Sequence, residues 1–352
     1  MLSLPSIARN RLNVFSHSRN VVAGTKKSVK YLFLLSFLPI SCISSATEFP
    51  ILNSEVSDLV NDVCESTTCV KNVLDEQTID GILMQHASAP QIAEALSLSE
   101  YQVLVGSALE NKNKSPMLHL EITTSWRGVP IDEYNVSTPV KDDSSVELTA
   151  KEIFNHWVSH VEYSDVLNAK IIYRALNASD YENQLKLPST VGEFMMQQRA
   201  LYRDPMQGSI TRYVHPEYSD AVFDVSVYPI SPFVHNVDLS DDELISAELG
   251  AEKQQLMLLI EGSDIPGYNI SEIEDAQLDV SESSYKGYKL KVALNTEFEP
   301  AYSTQYVFKK GDKFVKLTGN FPDRVMEMLV KQSLPQIIVP PESAFMKAMR
   351  NG

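Results

Sequence analysis

Between Ser209 and Tyr228 apolar side chains recur at every second position, a period that suits a β-strand with one face buried. Ile210 and Val214 share a face with Arg212, while Thr211, Tyr213 and His215 share the other. On the returning strand Ala221, Phe223, Val225 and Val227 alternate with Val222, Asp224, Ser226 and Tyr228, and Pro216 to Asp220 supplies the turn residues between them. A β-hairpin here seeds a sheet, so the stretch from Leu187 to Ile230 excludes an all-helical fold for this part of the chain.

Charge divides the chain unevenly. The net charge of −16 hides a leader, residues 1–46, that holds Arg9, Arg11, Arg19, Lys26, Lys27 and Lys30 and no acidic residue. The basic TKKSVK run leads into the apolar YLFLLSFLPI, and Ser44 and Ala46 are the small residues required three and one positions before a signal-peptidase cut. The apolar run is shorter than the roughly 20 residues that span a bilayer. We therefore read a secretory signal cleaved after Ala46, with a periplasmic destination. Leu38 to Cys42 offers the alternative of a lipoprotein tethered to the membrane through Cys42, although Pro39 stands where the lipidation motif usually has Leu. In the mature chain Cys64 and Cys69 remain as an even pair, which an oxidising compartment would join as a disulfide.

From residue 47 to 112 the sequence reads as helical. Val56, Leu59, Val60 and Val63 form one apolar stripe and Tyr101, Leu104, Val105, Ala108 and Leu109 another, with Ser97 and Glu100 as a capping box. Gln91 to Leu109 also resembles a helix-turn-helix, but Asp75 to Glu110 contains six acidic residues and no Lys or Arg, so a phosphate backbone would be repelled. Residues 113–178 read as a small α+β subdomain: a hairpin turning at Arg127-Gly128, a helix over LTAKEIFNHWVSHVEY, and AKIIYRAL as a third strand. In that helix His156 and His160 have metal-ligand spacing, yet the helical wheel sets both on the wet side or its border.

A polar linker, NASDYENQLKLPST, leads to an α+β sandwich over 187–340 and a tail over 341–352. After the hairpin, Ser240 to Glu243 forms a capping box for a helix running to Glu261, with Ile245, Leu249, Leu256, Leu259 and Ile260 inward. Ile270 to Val280 is expected as one strand, Tyr288 to Leu294 as the next, and a hairpin turns at Gly311-Asp312. Asp323 is placed as the cap of a last helix with Val325, Met328 and Leu329 facing the sheet, ended by Pro335.

Leu187-Pro188, Val191-Gly192 and Phe194, then Arg203-Asp204-Pro205, Gly208 and Arg212-Tyr213, then Asp224-Val225 and Val227-Tyr228-Pro229 stand in this order. In these residues the chain resembles a group of uncharacterised secreted bacterial proteins, and its order of elements is more distantly similar to the PsbP and Mog1 fold. The resemblance covers roughly half the chain. It implies an α+β sandwich and an envelope location, and it carries over no catalytic residue.

No GxSxG, HExxH, P-loop or strand-following GxGxxG is present, so neither a catalytic motif nor a cofactor or metal site can be named from motifs. The expectation is a non-catalytic envelope protein that binds a partner protein or small ligand; the alternative is an enzyme whose site is assembled from distant residues. Candidate binding residues are Arg199, Arg203, Arg212, Tyr213 and Tyr228, because Arg and Tyr combine contact area with directional hydrogen bonds. The competing reading pairs these arginines with Asp204, Glu217 and Asp224 and packs the rings into the sheet.

Overall fold

The computed structural model describes residues 64, 69–86, 100–112, 115–231, 239–262, 267–280, 283–295 and 300–351. The leader, the Cys42 lipidation site, the Val56 to Val63 stripe and Ser97 lie outside the described residues. The fold is α+β, built on two antiparallel sheets. The first has four strands in sequential order: β1 (Cys69–Lys71), β2 (Tyr101–Lys112), β3 (Ser115–Trp126) and β4 (Val129–Pro139). On its inner face lie α1 (Glu76–His86), α2 (Val146–Tyr163) and α3 (Ala169–Ala175). Their core joins Ile82, Leu118, Leu120, Ile122, Phe154, Trp157 and Ile172.

Three expectations fail here. Tyr101 to Leu109 is a strand, not a helix, and pairs residue by residue with β3 from Tyr101 opposite Trp126 to Lys112 opposite Ser115. Its apolar residues satisfy both periods; the long partner strand and the inward alternation of Tyr101, Val105 and Leu109 decide for β, which also removes the helix-turn-helix. AKIIYRAL, expected as a strand, is helical because Asn168 caps it, its side chain accepting from Lys170 N at 3.0 Å. Cys64 and Cys69 are bonded, with Cα atoms 5.2 Å apart, and Cys69 opens edge strand β1 rather than a second helix.

The second sheet has nine strands: β5 (Thr190–Val191), β6 (Phe194–Leu201), β7 (Ser209–Val214), β8 (Val222–Pro229), β9 (Gly267–Ile270), β10 (Glu274–Val280), β11 (Ser283–Asn295), β12 (Ala301–Lys310) and β13 (Lys313–Gly319). Their order is β10-β11-β12-β13-β8-β7-β6-β5. The single strand expected over Ile270 to Val280 is split, and β9 and β10 follow one another along the same edge of β11. Helix α4 (Asp241–Glu261) covers one face and α5 (Asp323–Ser333) the other, so β13 is buried along its whole length.

On α4 the Ser240–Glu243 capping box forms, but Leu259 is exposed. The inward stripe instead runs Ile245, Leu249, Glu252, Leu256, Ile260. On α5 Leu329 faces the sheet and Val325 packs against its core as expected, joined by Met326 and Val330, whereas Met328 is exposed. Asp323 is the first helical residue after Pro322; its carboxylate accepts from Tyr306 Oη and Lys289 Nζ, each at 2.5 Å, rather than capping.

The two sheets meet at the Arg203-Asp204-Pro205-x-x-Gly208 loop. Asp204 accepts from Met206 N at 2.8 Å and starts a short 3-10 turn, and Gly208 closes it at φ 63°. A Cβ there would sit 2.0 Å from the Val227 carbonyl oxygen, so only glycine fits. From the first unit Arg127 reaches Asp204 at 2.9 Å, and Tyr173 Oη donates to the Gly208 carbonyl at 2.8 Å. The linker is not solvated: Tyr181 and Leu185 are buried in the sandwich core, Tyr181 edge-on to Tyr173. The tail is a helix, α6 (Ala344–Asn351), whose Phe345 packs against the first unit's core.

Candidate functional site

The hairpin residues do not converge. β7 and β8 alternate as expected, and that alternation places Arg212 and Tyr228 on the α4 side of the sheet and Tyr213 on the α5 side. Tyr213 is fully buried and donates to the Pro188 carbonyl at 2.7 Å; burial pushes its phenol up to about 12. Arg199 donates to the Tyr181 and Leu185 carbonyls at 3.3 Å, and half-buried Arg203 leads the junction loop. Arg212 holds Asp224 through two bonds, Nε to Oδ1 at 2.9 Å and Nη2 to Oδ2 at 2.7 Å, with both residues buried. Burial raises the Asp224 carboxyl, against the pull of Arg212.

Tyr228 belongs to a second polar group on the same face. Its hydroxyl donates to Glu248 Oε1 at 2.5 Å, and one turn further along α4 Glu252 pairs with Lys316 of β13. Burial, reinforced by the neighbouring Glu252, pushes the Glu248 carboxyl up to about 7 against the hydrogen bond from Tyr228. Glu252 is not among the residues expected at a site. An acidic side chain at an inward position of an apolar stripe, facing a Lys on an otherwise apolar strand, was the available signal.

Polar side chains and open space come together in the first unit. A cavity of about 280 Å3 lies between β4 and the α2–α3 connection, lined by Ile131, Asp132, Ser164, Val166, Ile171, Arg174 and Ala175. Two irregularities shape it. Thr124 pairs with Asp132 but Ser125 pairs with Pro130, so Ile131 is an extra residue on β4. This bulge breaks the alternation and lets the consecutive Ile131 and Asp132 line one cavity. At the other wall Asp165 takes φ 52°, in the left-handed region, and its carboxylate accepts from Asn168 Nδ2 at 2.6 Å. The chain thus turns back after α2, and α3 brings Arg174 to the wall that Ser164 shares.

His160 sits among these groups. Its Nε2 lies 3.1 Å from Asp132 Oδ2 and 3.2 Å from Oδ1, while Ser164 Oγ lies 3.3 Å from Nδ1. The Tyr134 ring flanks the imidazole at 5.2 Å. His156, expected beside it in a solvated pair, is exposed. His160 therefore faces a carboxylate, and among the described residues no group of three or more His, Cys, Asp or Glu side chains is placed to hold a metal ion. Among the described residues Arg174 makes no ion pair. A second hollow, of about 310 Å3, is lined by Arg324, Glu327, Met328, Lys331 and Gln332 of one helix, where Glu327 already pairs with Lys331 at 2.5 Å.

No protein-family profile matches the chain, and no curated protein matches it. Among solved structures it is similar to the cyanobacterial PsbP protein CyanoP of Synechocystis sp. PCC 6803, at 12% identity over 44% of this chain and 92% of that one, with a TM-score of 0.28. It is also similar to the apo immunity protein TplEi of the T6SS of Pseudomonas aeruginosa, at 14% identity over 78% of this chain and 88% of that one, with a TM-score of 0.24. The PsbP likeness is a distant one of fold, and at these scores neither structure informs the cleft.

Proposed function

We propose that this chain is an exported envelope protein that binds a small organic anion in the cleft between β4 and α3. The observation that carries the reading is Arg174: a guanidinium with no ion-pair partner among the described residues, in a strongly acidic chain, set in a wall with Ile131, Val166, Ile171 and Ala175. A planar fork of donors beside apolar surface suits a carboxylate on a short carbon skeleton. The volume is at the small end of the roughly 300–1,000 Å3 typical of ligand pockets, which favours a metabolite-sized ligand over a peptide.

Calorimetric titration with glutarate is expected to show binding. Arg174→Met is expected to weaken it about 10- to 100-fold, the worth of a hydrogen bond to a charged group, with no change in melting temperature. Dilution heats alone, or equal affinity in the variant, would remove the reading. Export is supported by the basic leader and the Ser44-x-Ala46 site. Protein recovered from a periplasmic extract is expected to begin at Thr47 on N-terminal sequencing. A lipidated Cys42 at the start would instead establish the membrane tether, and an intact leader would contradict both.

A further inference from the structure

Hydroxyl–imidazole contacts between residues four apart at a helix end are ordinary. What sets this one apart is the carboxylate on the opposite ring nitrogen, brought from a strand 28 residues away by a β-bulge, together with a cavity that the same hydroxyl and carboxylate line. We propose that Ser164 is a nucleophile for the hydrolysis of small esters, with His160 as its general base and Asp132 as the positioning residue for the imidazole. The cleft reading above supplies only the further specification that the ester carries an acidic group held by Arg174.

Asp132 accepts the hydrogen bond from Nε2–H and thereby fixes the tautomer, which leaves the Nδ1 lone pair directed at Ser164 Oγ. The distance of 3.3 Å is at the loose end for a bond that tightens when substrate is bound. On attack, Oγ bonds to the carbonyl carbon and the hydroxyl proton passes to Nδ1. The carbon–oxygen bond to the leaving alcohol then breaks, and that alcohol takes the proton from Nδ1. A water attacks the acyl-serine, gives its proton to Nδ1, and the proton returns to Ser164 Oγ as the carboxylic acid departs. Ester and water become acid and alcohol, with no other reactant.

The first test is turnover of mono-4-nitrophenyl glutarate and of neutral 4-nitrophenyl acetate by the full exported chain, with mass-spectrometric mapping of a fluorophosphonate adduct. Adduct on Ser164 and hydrolysis above buffer are expected. Ser164→Ala is expected to lower kcat by at least about 10³-fold. Asp132→Asn is expected to lower kcat about 10²-fold and slow labelling with KM kept, a split that loss of a merely structural contact would not give. Arg174→Met should raise KM for the glutarate ester alone.

Wild-type rates equal to buffer, or full activity in Ser164→Ala, would overturn the proposal. Glutarate binding without hydrolysis would leave the binding reading standing and sink this one. Ser164-dependent hydrolysis of the neutral ester without glutarate binding would do the reverse.

Discussion

Asp224→Ala is expected to destabilise the sandwich by about 3–5 kcal/mol, the usual cost of removing one partner from a buried ion pair. Arg212 stays sealed between β7 and β8 in that variant, at 5% exposure, and loses the carboxylate that takes two of its donors. Far-UV circular dichroism should record a fall in melting temperature of roughly 10 °C or more. The paired change Arg212→Met with Asp224→Leu removes both charges and fills the space, and most of the loss should return. A cost below about 1 kcal/mol for Asp224→Ala would mean that the pair is solvated and that the hairpin surface is open to ligands after all.

Glu248→Gln is expected to stabilise the protein at pH 8 and leave it unchanged at pH 4. The carboxyl rises from 4.5 to about 7 in the folded chain. The folded state therefore holds this proton more tightly than the unfolded one. Its favourable contribution is complete below the unfolded value and is lost as pH rises through the folded value, reaching at most about 3 kcal/mol relative to acid. Glutamine keeps an acceptor for the Tyr228 hydroxyl and cannot ionise against Glu252. The quantity to measure is the difference in urea stability between wild type and variant at half-unit steps, which cancels the other carboxylates. A difference that does not change with pH would show that Glu248 does not carry the effect.

The sandwich was legible because its strands are long, half or wholly buried, and separated by turn chemistry: the alternation from Phe223 to Tyr228 and the Gly311-Asp312 turn appear in the fold as expected. Tyr101 to Leu109 was not, because its apolar positions fit both periods and only pairing with β3 breaks the tie. Helix α3 was missed for a local reason, the Asn168 cap in front of a run short enough to be either element.

The two polar groups on the α4 face were half legible: the competing reading named Asp224, with Asp204 and Glu217, among the partners of the arginines without assigning it to Arg212, whereas Glu252 was passed over because an acidic residue was not sought on an apolar stripe. The cleft was least legible. His160 was placed at the border of its helix from the wheel, but nothing local says that Asp132 meets it. That contact depends on one inserted residue in β4, for which Pro130 is the sole sequence hint.

If Arg174 and its neighbours form the functional cleft, a ligand must perturb them before any hairpin residue. A backbone NMR titration of the full chain with glutarate addresses it directly. Saturable shifts confined to Ile131, Asp132, Ser164, Val166, Ile171 and Arg174 are expected, and none in Arg174→Met. Shifts centred on Arg212, Tyr213 and Tyr228, or none at any residue, would contradict that assignment.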